Sequence, residues 1–376
     1  MVTAPLLVAL AYGAAVDKTA LILFAQTLPF LLLAMPLGVL ADRISRPRLL
    51  LLTEGARFAS LVLITWLAAM GTPDWRMLAV LSFVLAMGTV GFGVAAPALI
   101  AASTPSALVG AANARIEVAR ACAFAIGPTL AGYLAQGGQI AWAFGVAALF
   151  SLLAMGWFSV LRHPVATKPS AAPAAFWVQA REGIAFVAGH HLLRPIMATQ
   201  LVFNAAWMVL VATFVPFAVG TLQWSAAFTG LAMGWAGIGM VTGALAAGWA
   251  LRRLPLGRVV GIGPVCGLLS ALTITSLAWW PSQALACVGF FLLGSGPMLW
   301  TVSTTTLRQK VTPAALMGRV SAVSVLAFGA RPVGALLAAV VGSYWGAWPC
   351  LVLSSVLFAV QAVLVLSSPV FALKNA

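Results

Sequence analysis

The chain has 376 residues, 63% of them hydrophobic and only 7% charged, with a net charge of +14 and a mean hydropathy of +1.08. A soluble domain carries about 25% charged residues, so this chain has too little polar surface to cover its apolar mass in water. Repeated long apolar runs read instead as membrane spans, and 35 Gly, 21 Pro and 14 Trp fit that setting.

In chain order, the first stretch, VTAPLLVALAYGAA, is apolar but too short to span, and no basic segment precedes it as in a signal peptide. Runs of spanning length follow at about 20–41, 49–70, 77–100, 109–135 and 140–161. After a polar gap they resume at about 195–219, 225–250, 259–279, 283–306, 316–341 and 346–367, eleven in all. The gap, 162–194, begins with the Pro/Ala/Ser-rich ATKPSAAPAA, a flexible linker composition. It continues as FWVQAREGIAFVAGHH, which predicts a short amphipathic helix along the membrane face. His190 and His191 are adjacent and do not share a helix face, so they read as a solvated linker end and not as a metal site.

An internal repeat is the strongest structural signal. Gly38, Arg43 and Arg48 map onto Gly248, Arg253 and Arg258 at an offset of 210. TPSALVG, from Thr104, maps onto TPAALMG, from Thr312, at an offset of 208, and Pro5 maps onto Pro216 at 211. One spacing, kept in one order, predicts an all-α fold of two parallel six-helix repeats. The expected units are an N-terminal bundle over 1–161, a linker over 162–194 and a C-terminal bundle over 195–376. The second unit has a full span at about 195–219 whose mate in the first would start some 15 residues before Met1. The twelve-span reading therefore puts Met1 inside a truncated first helix. A misassigned start codon is preferred there to a true truncation or a short buried helix.

Basic residues fix the expected orientation. Arg43, Arg46, Arg48, Arg57, Arg115, Arg120, Arg162, Lys168, Arg181, Arg194, Arg252, Arg253, Arg258, Arg308, Lys310, Arg319 and Lys374 fall on one side if the spans alternate. The other side holds Lys18 and Arg76. This asymmetry puts the linker and the C-terminus in the cytoplasm of a cell membrane. It also accounts for the positive charge without nucleic acid, for which the chain has no basic groove interleaved with aromatics. Cys122, Cys266, Cys287 and Cys350 lie in or beside apolar runs, with no CxxC spacing, and read as packed hydrophobes.

GVLADRISRPR, from Gly38, resembles the signature loop of the major facilitator superfamily, and IGPTLAG, from Ile126, resembles its glycine–proline helix motif of antiporters. LVGAANARIEVARACAFAIGPTLAG and LMGRVSAVSVLAFGARPVGALL are most similar to the branch that holds the enterobactin exporter and the macrolide-efflux proteins. The resemblance implies secondary efflux of a small amphipathic compound by alternating access. It also implies a monomer in membrane lipid, with no cofactor beyond a proton gradient. It makes Gly38 a packing point and Asp42, Arg43, Arg46 and Arg48 a conformational latch. Gly248, Arg253 and Arg258 form the second copy, where Arg252 replaces the acid. Gly127, Pro128 and Gly132 carry the helix motif.

Ionisable residues inside spans are costly and are candidates for function. Glu117 and Arg120 share a helix face, as do Glu54 and Arg57 nearer the cytoplasmic side. Glu117 pairs with Arg120, or Arg120 reaches Asp42. Arg331, twelve residues past Arg319, sits near mid-membrane ahead of Pro332, which predicts a break in the helix there. It either lines a substrate cavity or is paired structurally. Gln200, Asn204, Trp207, Trp235, Trp300, Ser303 and Thr304 are the other cavity candidates. For a proton relay Glu117 comes first and Asp17 second. The glycine-rich GLAMGWAGIGMVTGALAAG, from Gly230, predicts close helix packing. An importer or lipid transporter of the same fold, or a non-transporting homologue, remains open. A membrane enzyme is disfavoured by only six acids and three His, scattered along the chain.

Overall fold

The computed structural model describes residues 3–13, 15–33, 36–37, 40, 44–71, 74–160, 173–313, 316, 319–320, 323 and 326–373. Among them there is helix and turn but no strand, as expected where no water reaches the backbone. The N-terminal helices are α1 (Thr3–Ala11), α2 (Val16–Leu32), α3 (Arg46–Met70), α4 (Trp75–Ser103), α5 (Ser106–Gln136) and α6 (Ile140–Val160). Then come α7 (Pro173–Gly189), α8 (Leu193–Pro216, prolonged by a π-turn at Phe217–Thr221) and α9 (Ala226–Arg253). The chain ends with α10 (Leu256–Ser276), α11 (Gln283–Val311), α12 (Ala330–Trp345) and α13 (Ala347–Leu366).

Ten helical segments among the described residues are long and apolar enough to cross a membrane. The eleventh expected run, at about 20–41, holds the 17-residue α2, which starts earlier than the apolar run because Asp17 occupies its first turn. Short polar side chains start several helices: Ser225 Oγ accepts the Phe228 N–H at 3.1 Å and Asp74 accepts the Arg76 N–H at 2.8 Å. Gly346, at φ 82°, makes the turn from α12 into α13. Pro332 has the predicted effect: a 3-10 turn at Ala327–Gly329 precedes α12, where the missing proline N–H cannot hold the carbonyl of Phe328.

Helix α3 packs on α4 and α6, α2 on α4, α8 on α12 and α13, and α11 on α9 and α10. The two most extensive contacts between the N-terminal and C-terminal helices are α5 on α9 and α2 on α12. They interchange under the 208–210-residue offset of the sequence repeat, which maps α2 onto α9 and α5 onto α12.

The α5–α9 contact depends on glycine. A Cβ at Gly132 would meet the Ala226 carbonyl, one at Gly230 the Pro128 carbonyl, and one at Gly237 the backbone of Ala125. Small residues at this spacing let two backbones touch where lipid gives no hydrophobic drive. A second glycine face on α9, Gly239 and Gly243, meets Phe291 and Ser295 of α11. The glycine contacts on α5 fall at residues 121–132, in the half of α5 away from the basic loops. Nearer those loops, the side chains of Glu117 and Arg120 are about half exposed, at 43% and 52%.

Two polar contacts tie helices together elsewhere. Glu54 of α3 is buried and accepts a hydrogen bond from Ser151 Oγ of α6 at 2.5 Å, with Arg57 at 3.8 Å. Glu182 of α7 pairs with Arg319, and Val187 packs with Val320 and Val323. The linker helix is thereby fixed to the chain leading into α12.

Two stability predictions follow from these contacts. Gly132→Ala or Gly230→Ala should cost roughly 1–3 kcal/mol by overpacking and lower the Tm of the detergent-solubilised protein, whereas Gly127→Ala, whose added methyl meets nothing within 4 Å, should not. Ser151→Ala strips the buried Glu54 carboxylate of its hydroxyl donor and should cost about 1–3 kcal/mol, with Ser151→Thr restoring most of the loss; differential scanning fluorimetry reads both.

Candidate functional site

The site is built around Arg331. Asn204 lies eleven residues into α8 and Arg120 fourteen into α5. These are roughly 16 and 21 Å of helix, both near the middle of a hydrocarbon core about 30 Å thick. Arg331 Nε donates to Asn204 Oδ1 at 2.8 Å. Its guanidinium lies 5.1 Å from the ring centre of Trp207 and 4.5 Å from that of Phe328. Asn204 is 1% exposed, and its Nδ2 donates to the Gln200 carbonyl at 2.8 Å. With the amide fixed from that side, its oxygen has to face Arg331.

The pieces come from three helices. Asn204 and Trp207 are three apart on α8, and Phe328 and Arg331 are three apart at the start of α12, so each pair shares a face. From α2, Phe30 packs on Phe328 with ring centres 6.4 Å apart, and a Cβ at Gly329 would lie 3.0 Å from Leu31. The site therefore lies at the α2–α12 contact between the N- and C-terminal helices.

Glu117 and Arg120 of α5 pair at 3.3 Å. Arg120 is also the charged neighbour whose field reaches Arg331. Among the described residues no carboxylate pairs with Arg331, and its two terminal amino groups make no hydrogen bond. The described charges at the site are thus two guanidinium groups and one carboxylate, a net excess of one positive charge.

Other candidates lie elsewhere. Trp300 is buried in a cluster with Leu192, Ile196 and Val260, its Cβ against Gly263 of α10, inside the C-terminal helices. Ser303 and Thr304 donate to carbonyls of their own helix, at Leu299 and Trp300. Thr304 and Gln200 line a cavity of about 20 Å³ with Arg308, on the basic-loop side. Trp235 is partly exposed on α9. Pro128 and Gly132 form the seam with α9, while Gly127 points into open space.

Gly38, Asp42 and Arg43 lie outside the described residues. Arg46 opens α3, and Arg48 is exposed two residues on. Gly248 and Arg253 lie in the last turns of α9, and Arg253 and Arg258 are exposed at that end. Asp17 lines an open cleft of about 440 Å³ with Pro216, Thr221 and Gly342, on the face opposite the basic loops. The rings of His190 and His191 stack at 5.1 Å, and burial, then the charge of His191, holds the His190 pKa below the ordinary histidine value. Among the described residues no cluster of His, Cys, Asp or Glu could hold a metal.

Sequence reasoning missed Phe30 and Phe328. The signal for Phe328 was present in its spacing of three from Arg331. Phe30 is 298 positions from Phe328 and carried none.

The model of the Major Facilitator Superfamily matches residues 1–331. No curated protein matches the chain. Among solved structures, the nucleoside transporter NupG is 14% identical, with 97% of this chain and 96% of that one covered and a TM-score of 0.65. The D-xylose-proton symporter is 14% identical, covers 100% and 98%, and scores 0.69. A POT family transporter in complex with 5-aminolevulinic acid is 12% identical, covers 98% and 92%, and scores 0.73. At these identities the likeness is one of fold, and the family match over most of the chain gives the rest. The chain belongs to the major facilitator superfamily, as a multi-pass membrane transporter of small solutes.

Proposed function

We propose that the protein is a secondary exporter of the cell membrane, close to the branch of the enterobactin exporter and the macrolide-efflux proteins. It expels a small amphipathic compound in exchange for protons. The working units are the bundles 1–161 and 195–376, joined by the linker 162–194, with linker and C-terminus cytoplasmic and the chain acting as a monomer. Gly38, Asp42, Arg43, Arg46 and Arg48 form the latch on the cytoplasmic face, with Gly248, Arg253 and Arg258 as its second copy. The solute enters between the bundles at Arg331, Asn204 and Trp207. Glu117, ion-paired at the same depth, carries the proton.

The observation that carries this reading is the glycine–proline segment of α5 seated on α9 between the N- and C-terminal helices. Backbones this close form a pivot about which the bundles rock to alternate the open side. Charge-assisted contacts at the latch then pair in one state and separate in the other.

Everted membrane vesicles test it. With the interior acidified, vesicles holding the protein should accumulate members of a drug and siderophore panel, and nigericin should stop the accumulation. Asp42→Asn should slow it about tenfold, a loss of ~1.4 kcal/mol, at unchanged protein abundance. Accumulation only in right-side-out vesicles would make the protein an importer, and transport indifferent to the pH gradient would remove the antiport.

A further inference from the structure

Resting on the transport reading above, we infer that the solute is a single-charged anion with a planar apolar body. Its carboxylate or equivalent oxyanion docks end-on to Arg331.

The geometry leaves one place for that group. Two aromatic rings, Trp207 and Phe328, pack on the guanidinium, and its Nε–H is taken by Asn204. What remains is the pair of terminal amino groups, a fork that matches two oxyanion oxygens. Asn204, itself tied to the Gln200 carbonyl, holds the fork in one orientation. Pre-orientation of this kind reduces the ordering cost of binding.

Charge gives the valence. A cation at mid-membrane requires a partner, and no acid supplies one among the described residues. Arg120 could add a second anion site, but in the proton-free state to which the solute binds, the ionised Glu117 at 3.3 Å neutralises it. The remaining excess is one positive charge, which suits a monoanion and repels a cationic amine. The aromatic surface sets the rest of the solute: Trp207, Phe328 and Phe30 are only partly buried, leaving ring area for a flat apolar body. Phe30 belongs to α2 and Phe328 to the chain entering α12, so a solute lying on both would bridge the two sides of the contact.

The test is equilibrium binding to the purified full chain in detergent, which does not depend on the direction of transport. Matched sets of ligands share one ring system and differ in charge: 1-naphthylacetate, 1-naphthylacetamide and 1-naphthylethylamine, with the corresponding quinoline and biphenyl sets. The anion of each binding set should bind about 10- to 100-fold more tightly than its amide, and the amine most weakly. Arg331→Gln should abolish the preference for the anion while amide binding persists. Arg331→Lys should retain part of it, since the charge stays and the fork is lost. If Arg331→Gln does not fold, Asn204→Ala serves, with a selective loss of anion affinity. Equal affinity for anion and amide, preference for the amine, binding of no anion in any set, or an anion preference that survives these substitutions overturns the inference. Anion binding combined with uptake in the vesicle assay would instead overturn the exporter reading and leave this one standing.

Discussion

The structure depends on the backbone approach of α5 and α9. In hydrocarbon, apolar side chains gain nothing by leaving lipid for one another, so helices associate through close packing of small residues. Gly132, Gly230, Gly234 and Gly237 supply it here, each at a position where a methyl group would strike the opposite helix. The contact holds α5 to α9 over residues 121–132, while Glu117 and Arg120, nearer the basic loops, have side chains about half exposed.

The charges inside the membrane fall into two kinds. Glu54 and Arg57, with Ser151, lie between α3 and α6 and hold helices of the N-terminal part to each other. Glu117 and Arg120 pair with each other on α5, and Arg331, at the α2–α12 contact, is held by a neutral amide and aromatic rings. A carboxylate within reach would lower the energy of Arg331 more than Asn204 does. An amide that orients a cation without neutralising it suits a site that must bind and then release.

Much of the fold was legible in the sequence, because span length and duplication act over hundreds of residues. Apolar runs located nine of the helices to within a few positions, while the run read at about 316–341 meets a helix over Ala330–Trp345, and Pro332 announced the break beside Arg331. The direction in which each side chain points was much less legible. Trp207 and Trp300 have the same apolar surroundings in sequence, yet one packs on Arg331 and the other is sealed behind Gly263. Tertiary partners alone separate them: Gly263 is 37 positions from Trp300, and Ser151 is 97 from the Glu54 it satisfies. The i, i+3 pairs Asn204–Trp207 and Phe328–Arg331 were local and could be read, but their meeting across α8 and α12 could not.

The central claim is that Arg331 and Trp207 line a path reached from either side of the membrane in turn. A single cysteine replacing Trp207, in a chain whose four native cysteines are changed to alanine, tests it with a membrane-impermeant maleimide added to one side and then the other. The account predicts labelling from both sides, in proportions that shift when an anionic ligand is bound. Labelling only by lipid-soluble reagents, or from one face under every condition, would contradict it.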